Sequence, residues 1–92
     1  MANIQKSQRG TSWRNWFTDN AFRRGFTDRR SGLCFAAEYD SRSEAWQWMY
    51  EAGRLFAADP TSRRFKRMPE KGEPIKPTLV KAYRMSLANR AY

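Results

Sequence analysis

The sequence predicts a small, mainly α-helical domain: a helical hairpin with an additional C-terminal helix and a basic N-terminal arm. Three observations indicate this fold class. Apolar side chains recur at spacings of three and four residues, which is typical of one buried helix face. Side chains that can cap a helix precede these apolar stretches. Three of the four prolines fall in one segment that separates the last two stretches. The length of 92 residues fits one domain.

The N-terminal part contains an arm and the first helical stretch. Residues 1–10 are polar and end in glycine, so we expect a flexible basic arm. Three aromatic residues then follow at i, i+3 and i+4: Trp13, Trp16 and Phe17. Thr11 or Ser12 is positioned to cap this helix. The apolar pattern resumes after Asp19, a second capping residue, and it fits either one continuous helix or two helices with a break near Asn20.

The second helix of the hairpin carries the clearest signals. Ser41 and Glu44 have the spacing of a capping box, in which a hydroxyl and a carboxylate satisfy free backbone N–H groups. A broad apolar face then recurs with the period of a helix, and Pro60 ends it because the residue before proline avoids the helical conformation. Between the two helices, residues 31–40 predict a turn and an irregular connection, with a short strand over 33–37 as the alternative.

The remaining chain completes the domain organisation. Residues 11–67 are predicted to form the helical core, and residues 68–77 a proline-rich linker. A final helix is expected over residues 78–92, beginning at Pro77 or Thr78, since proline is accepted in a first helical turn. We expect this helix either to pack on the hairpin or to exchange with a partner chain.

Positive charge is the dominant property of the chain. Eighteen Lys and Arg residues stand against nine Asp and Glu, which gives a net charge of +9. Arginine keeps its charge at any working pH and offers a planar fork of donors that fits phosphate. A polyanionic partner, RNA above all, is therefore predicted. The candidate nucleic-acid-binding residues form two clusters and one isolated position: Arg23, Arg24, Arg29 and Arg30; Arg63, Arg64, Lys66 and Arg67; and Arg42.

Three aromatic residues are candidates for an interface. Trp46 and Trp48 lie two residues apart on one helix, which separates their directions by about 200°, so one of them is expected to be exposed. Phe65 stands within the second basic cluster, where an aromatic ring can stack on an unpaired base. The alternative for Phe65 is a place in the core, which is also where we expect Trp13 and Trp16.

Several classes of function lack their characteristic residues. There is no histidine and only one cysteine, so we assign no catalytic residue and no metal ligand. Cys34 is expected to be a small buried residue. No phosphate-binding glycine motif occurs, and we predict no cofactor and no small-molecule substrate. The sequence contains neither a long apolar run nor a signal peptide, so we expect a non-enzymatic, cytoplasmic protein with no membrane partner.

Residues 20–53 combine short motifs in a fixed order. They are Ala-Phe-Arg-Arg-Gly-Phe at 21–26, then Cys34, then Arg-Ser-Glu-Ala-Trp at 42–46 and Tyr-Glu-Ala at 50–52. This arrangement resembles the ribosome modulation factor family, small bacterial proteins that pair ribosomes into inactive dimers. The sequence departs from the family in the shorter spacing between Gly25 and Cys34 and in Phe35, where the family has proline. Residues 54–92 have no counterpart in that family.

The resemblance implies a pair of helices that binds the small ribosomal subunit near the messenger exit region and blocks initiation. It implies RNA contacts by five arginines: Arg23, Arg24, Arg29, Arg30 and Arg42. We therefore expect an RNA- or ribosome-binding protein of bacterial or phage origin that modulates translation. One alternative is a phage-encoded inhibitor that binds an acidic host protein. Another is a DNA-binding protein, although the connection between the two helices is longer than a helix-turn-helix turn of about 3–4 residues.

Overall fold

The computed structural model describes residues 12–90 and contains four α-helices. They are α1 (Trp13–Thr18), α2 (Asn20–Arg30), α3 (Glu44–Ala58) and α4 (Pro77–Arg90). Two short 3-10 turns, Tyr39–Ser41 and Pro60–Ser62, flank α3. No strand occurs between residues 12 and 90, so the mainly α fold is confirmed and the alternative strand over 33–37 is not formed. The predicted arm, residues 1–10, lies outside the described residues, as do residues 11, 91 and 92.

Asp19 divides the first helical stretch into two helices. Its backbone is extended, which ends α1, and its carboxylate then accepts hydrogen bonds from the N–H groups of Ala21 and Phe22 at 2.9 and 3.1 Å. These bonds satisfy two donors that have no partner within α2. At the start of α1, the Ser12 hydroxyl accepts from the Asn15 N–H at 3.2 Å. The sequence allowed either one continuous helix or two helices, and the structure contains two.

The cap of α3 differs from the predicted capping box. The Ser43 hydroxyl, not that of Ser41, accepts from the Trp46 N–H at 3.2 Å. Glu44 is consequently the first helical residue, and the Ser41 hydroxyl donates to the Glu38 carbonyl at 2.9 Å within the 3-10 turn. The end of α3 is as predicted, because the residue before Pro60 is extended.

Two glycines allow α2 and α3 to cross with their backbones in direct contact. A Cβ atom added to Gly25 would lie 2.0 Å from the Tyr50 carbonyl oxygen. A Cβ atom added to Gly53 would lie 2.1 Å from the Phe22 carbonyl oxygen. Only glycine fits these positions, so the pair fixes the centre of the helical hairpin.

Helix α4 belongs to the same core as the hairpin. The ring centroid of Tyr83 lies 5.1 to 5.8 Å from those of three buried phenylalanines: Phe17, Phe22 and Phe56. Leu79 and Ala82 are buried beside it. Of the two arrangements expected for this helix, packing on the hairpin is the observed one. The predicted linker has no regular secondary structure before Pro77. Its first residue, Met68, is buried in the core and anchors the segment there.

The helices of the described part are short. The longest, α3, has 15 residues. Among residues 12–90 no helix combines the length and the apolar character needed to cross a membrane.

Candidate nucleic-acid interface

The side chain of Arg30 joins the end of α2 to a segment more than thirty residues away. Its guanidinium donates to the Phe65 carbonyl at 2.6 Å, and to the carbonyl and hydroxyl of Ser62 at 3.1 and 3.0 Å. It also lies 4.6 Å from the centroid of the Phe26 ring. Arg30, one of the predicted phosphate contacts, is therefore also a structural cross-link. Because its acceptors are neutral oxygens, its positive charge is not cancelled.

This cross-link brings the end of the first predicted basic cluster to the second cluster. Arg29 precedes Arg30 at the end of α2, while the cross-linked segment carries three more basic residues: Arg63, Arg64 and Lys66. These four side chains are exposed. None of them has a carboxylate within 4 Å in the described part of the chain. We call Arg29, Arg30, Arg63, Arg64 and Lys66 the arginine surface.

Arg67 lies next to this surface but is neutralised. It donates to both carboxylate oxygens of Glu73, at 2.9 and 3.2 Å. These hydrogen bonds, together with one from the Glu70 N–H, lower the pKa of Glu73 to about 2. Arg67, also predicted to contact phosphate, is one half of an ion pair, and its charge is balanced at short range. The pair lines a groove of about 230 Å³ together with Arg64.

Two further predicted contacts, Arg24 and Arg42, also form ion pairs. Arg24 lies 3.3 Å from the carboxylate of Asp28 and 3.2 Å from that of Glu38. Arg42 lies 3.7 Å from the same Glu38 carboxylate. A backbone hydrogen bond at Glu38 and the two arginines lower the pKa of that carboxyl group against the effect of burial. Arg23 is partly buried on α2 and has no carboxylate within 4 Å among residues 12–90.

A buried network holds the connection between α2 and α3. The Tyr50 hydroxyl donates to the Asp28 carboxylate at 2.6 Å and accepts from the Ala36 N–H at 2.9 Å. Burial and the hydrogen bond to Asp28 raise the pKa of Tyr50, so its hydroxyl keeps its proton. Arg54 donates to the Cys34 carbonyl at 3.3 Å and covers the Phe35 ring at 4.6 Å.

Asp28 and Arg54 carry no sequence prediction, and Tyr50 was noted only as part of a motif, although Asp28 shares the buried face of α2 with Gly25 three residues earlier. A carboxylate on an apolar helix face is the signal that would have indicated a buried partner. Cys34, expected to be buried, is exposed.

The three candidate interface residues have different surroundings. Trp48 is 75% exposed, which confirms that one of the two neighbouring tryptophans faces outward. Trp46 instead stacks on Tyr50 with ring centroids 4.9 Å apart, and Arg42 covers its ring at 5.0 Å. Phe65 is partly buried and packs against the main core, as its alternative interpretation predicted. Trp46 and Phe65 are therefore used within the fold, and Trp48 remains available to a partner.

Comparison with protein-family models, with curated proteins and with solved structures gives no match for this chain.

Proposed function

We propose that the protein binds structured RNA through the arginine surface, and that its target is ribosomal RNA, so that binding modulates translation. The observation that carries this proposal is the cross-link made by Arg30. It gathers positive side chains from two distant segments beside one another, without carboxylates that cancel them.

The chemistry of these groups supports a phosphate backbone as the ligand. Several exposed guanidinium groups close together release condensed counterions when they meet a polyanion, and this release makes the affinity large and dependent on salt. The hydrogen bonds of Arg30 hold the segment from Ser62 to Phe65 in place before binding. A fixed arrangement loses less conformational freedom on binding than a mobile one.

The resemblance to the ribosome modulation factor family supports ribosomal RNA as the target. The motifs that carry it fall on α2, the connection and α3, which form the hairpin of this structure. Of the five arginines that the resemblance implies, Arg24 and Arg42 are in ion pairs, so we expect little of the binding to depend on them. We assign the main contacts to Arg29 on α2 and to Arg63 and Arg64 beyond α3.

The test compares two double variants that remove the same amount of charge. In the first, Arg29→Ala and Arg64→Ala remove charge from the arginine surface. In the control, Lys71→Ala and Lys81→Ala remove it elsewhere: Lys71 lines a depression with Ala21 at the start of α2, at the opposite end from Arg29. Helix α2, with 11 residues, separates these ends by about 16 Å.

The measurement is the affinity for isolated small ribosomal subunits and for a duplex DNA of equal charge, from about 50 to 200 mM salt. We expect tighter binding to the subunits. We also expect the Arg29/Arg64 variant to flatten the slope of log affinity against log salt by about 1.4 to 1.8, which is 0.7 to 0.9 for each lost phosphate contact. The control variant should change the slope much less. Equal losses in both variants would contradict the assigned surface, and equal, weak affinity for both ligands would contradict the RNA target.

A further inference from the structure

A second surface of the protein is an apolar groove between α3 and α4, with α1 at its base. The groove has a volume of about 470 Å³ and a mainly apolar lining. We call it the tryptophan groove after the side chains that shape it: Trp13 and Trp16 from α1, Trp48 and Leu55 from α3, and Leu87 and Arg90 from α4. Glu51 of α3 also lines it, and its carboxylate accepts a hydrogen bond from the Tyr39 hydroxyl. A concave, largely apolar site with a few polar groups is typical of a binding site.

The tryptophan groove is separate from the arginine surface. Gly53 marks the side of α3 that contacts α2. At about 100° per residue, Trp48 lies about 140° and Leu55 about 160° around α3 from Gly53. These two side chains therefore point away from α2 and from Arg29 and Arg30 at its end. The proposed RNA site leaves the groove unused.

The apolar side chains around the groove are unusually accessible. Trp48 is 75% exposed, Leu55 50% and Leu87 44%. With areas of about 150–250 Å² for such side chains, they present on the order of 350 Å² of apolar surface. An apolar patch of about 300–600 Å² is the largest that a typical monomer exposes, and it often serves binding.

One charged side chain of the groove indicates what else a ligand can supply. The side-chain nitrogens Trp16 Nε1 and Arg90 Nε are buried and make no well-aligned hydrogen bond among residues 12–90, but both side chains lie beside the Tyr83 hydroxyl, whose pKa is raised by burial, and act against that rise. Both residues line this groove. Arg90 donates through another nitrogen to the Ser86 hydroxyl at 2.9 Å, but no carboxylate of residues 12–90 lies within 4 Å of it. A carboxylate of an occupant could therefore pair with the partly exposed guanidinium of Arg90.

The charge of the chain and the length of the groove distinguish between two possible occupants, a second copy of the chain and an acidic protein. A second copy of the chain would bring another charge of +9, and the repulsion between the two copies disfavours a dimer. An acidic partner is attracted instead. Trp48 and Leu55 are separated by seven residues, or about 10.5 Å along α3. The apolar side chains at i, i+4 and i+7 of a docked helix cover the same length.

We propose that the tryptophan groove binds an amphipathic α-helix of an acidic protein. The apolar side of that helix covers Trp48, Leu55 and Leu87, and one of its carboxylates accepts a hydrogen bond from Arg90. The proposal is independent of the RNA-binding function, since the two surfaces share no residue.

The test selects binders from a displayed library of random 16-residue peptides against the full chain. The enriched peptides are then synthesised and titrated against variants. We expect apolar residues with helical periodicity and an excess of Asp and Glu. Their affinity should fall at least tenfold with Trp48→Ala and with Leu55→Ala. The matched control is Leu33→Ala, because Leu33 is 56% exposed but lies outside the groove, and it should leave the affinity unchanged. Thermal unfolding by circular dichroism verifies that each variant is folded.

One further variant and one competition experiment complete the test. Arg90→Gln should weaken binding and reduce its dependence on salt if Arg90 contacts a carboxylate. Enriched peptides without helical periodicity, a failure to enrich any, or equal binding to the Trp48→Ala variant would overturn the proposal. So would a concentration-dependent dimer that Trp48→Ala abolishes, since it would assign the groove to a second copy. Isolated small ribosomal subunits should not displace the peptides, whether or not the RNA-binding proposal holds.

Discussion

Replacing Gly53 by alanine tests whether the backbone contact between α2 and α3 organises the fold. The added Cβ atom would lie 2.1 Å from the Phe22 carbonyl oxygen and 2.9 Å from the Phe26 nitrogen. Non-bonded heavy atoms in good contact lie about 3.5 Å apart, so the two helices would have to separate by about 1.4 Å at their crossing. Both opposing atoms belong to the backbone of α2, and no change of rotamer can relieve the clash.

The size of the effect follows from two opposing contributions. Overpacking of a core typically costs about 1–3 kcal/mol, and a rigid backbone contact falls at the upper end. Alanine favours a helix interior over glycine by about 1 kcal/mol. We therefore expect the free energy of unfolding to fall by about 2 kcal/mol, which lowers Tm by about 8–16 °C in a domain of this size.

The assay is thermal unfolding followed by circular dichroism, with urea unfolding as a second measure. A double variant with Gly25→Ala provides the control, because Gly25 contacts the Tyr50 carbonyl at the same crossing. Once the helices have separated for one methyl group, the second meets less resistance, so the double variant should lose less stability than the sum of the single ones. A Gly53→Ala protein that melts at or above the wild-type Tm would refute the reasoning.

Two other predictions concern polar contacts. Tyr50→Phe leaves the Ala36 N–H without its acceptor and the Asp28 carboxylate, which is 6% exposed, without one donor. The free energy of unfolding in urea should therefore fall by about 1–3 kcal/mol, and an unchanged midpoint would contradict the network. Arg67→Met should return the pKa of Glu73 from about 2 towards its ordinary 4.5. Because the folded-state pKa is the lower one, the ion pair stabilises the wild type above pH 4.5 and this contribution is lost as the pH falls towards 2. An NMR titration of the Glu73 side chain measures the shift, and a wild-type pKa near 4.5 would contradict it.

The helices were predictable because the interactions that define them lie within one or two turns of chain. The apolar period of α3 and the proline that starts α4 are such local signals, and both helices lie where they were expected. The cap of α3 shows the limit of this reasoning. Ser41 and Ser43 offer the same hydroxyl, and the 3-10 turn that occupies Ser41 depends on the connection before it.

The candidate site could be predicted only as a set of charges. Arg30 donates to Ser62 and Phe65, which lie 32 and 35 positions further along the chain. Arg24 pairs with the carboxylate of Glu38, which lies 14 positions away. The i,i+4 spacing of Arg24 and Asp28 on α2 is a local signal of their ion pair, but no local pattern indicates that Arg30 meets the carbonyls of a distant segment. Phe65 was ambiguous for the same reason, since its place against the core depends on α4 and on the segment that Arg30 holds.

Whether an arginine is bound to a carbonyl or to a carboxylate decides how much of the net charge of +9 can act on a polyanion. A guanidinium bound to a carboxylate, as in Arg67 with Glu73, is held in position but its charge is cancelled at short range. A guanidinium bound to carbonyl and hydroxyl oxygens, as in Arg30, is held in position and keeps its charge. Its place in the last turn of α2, where the helix dipole is negative, further stabilises it there. The strength of binding should therefore follow the number of arginines that lack a carboxylate partner, and not the number of arginines in the sequence.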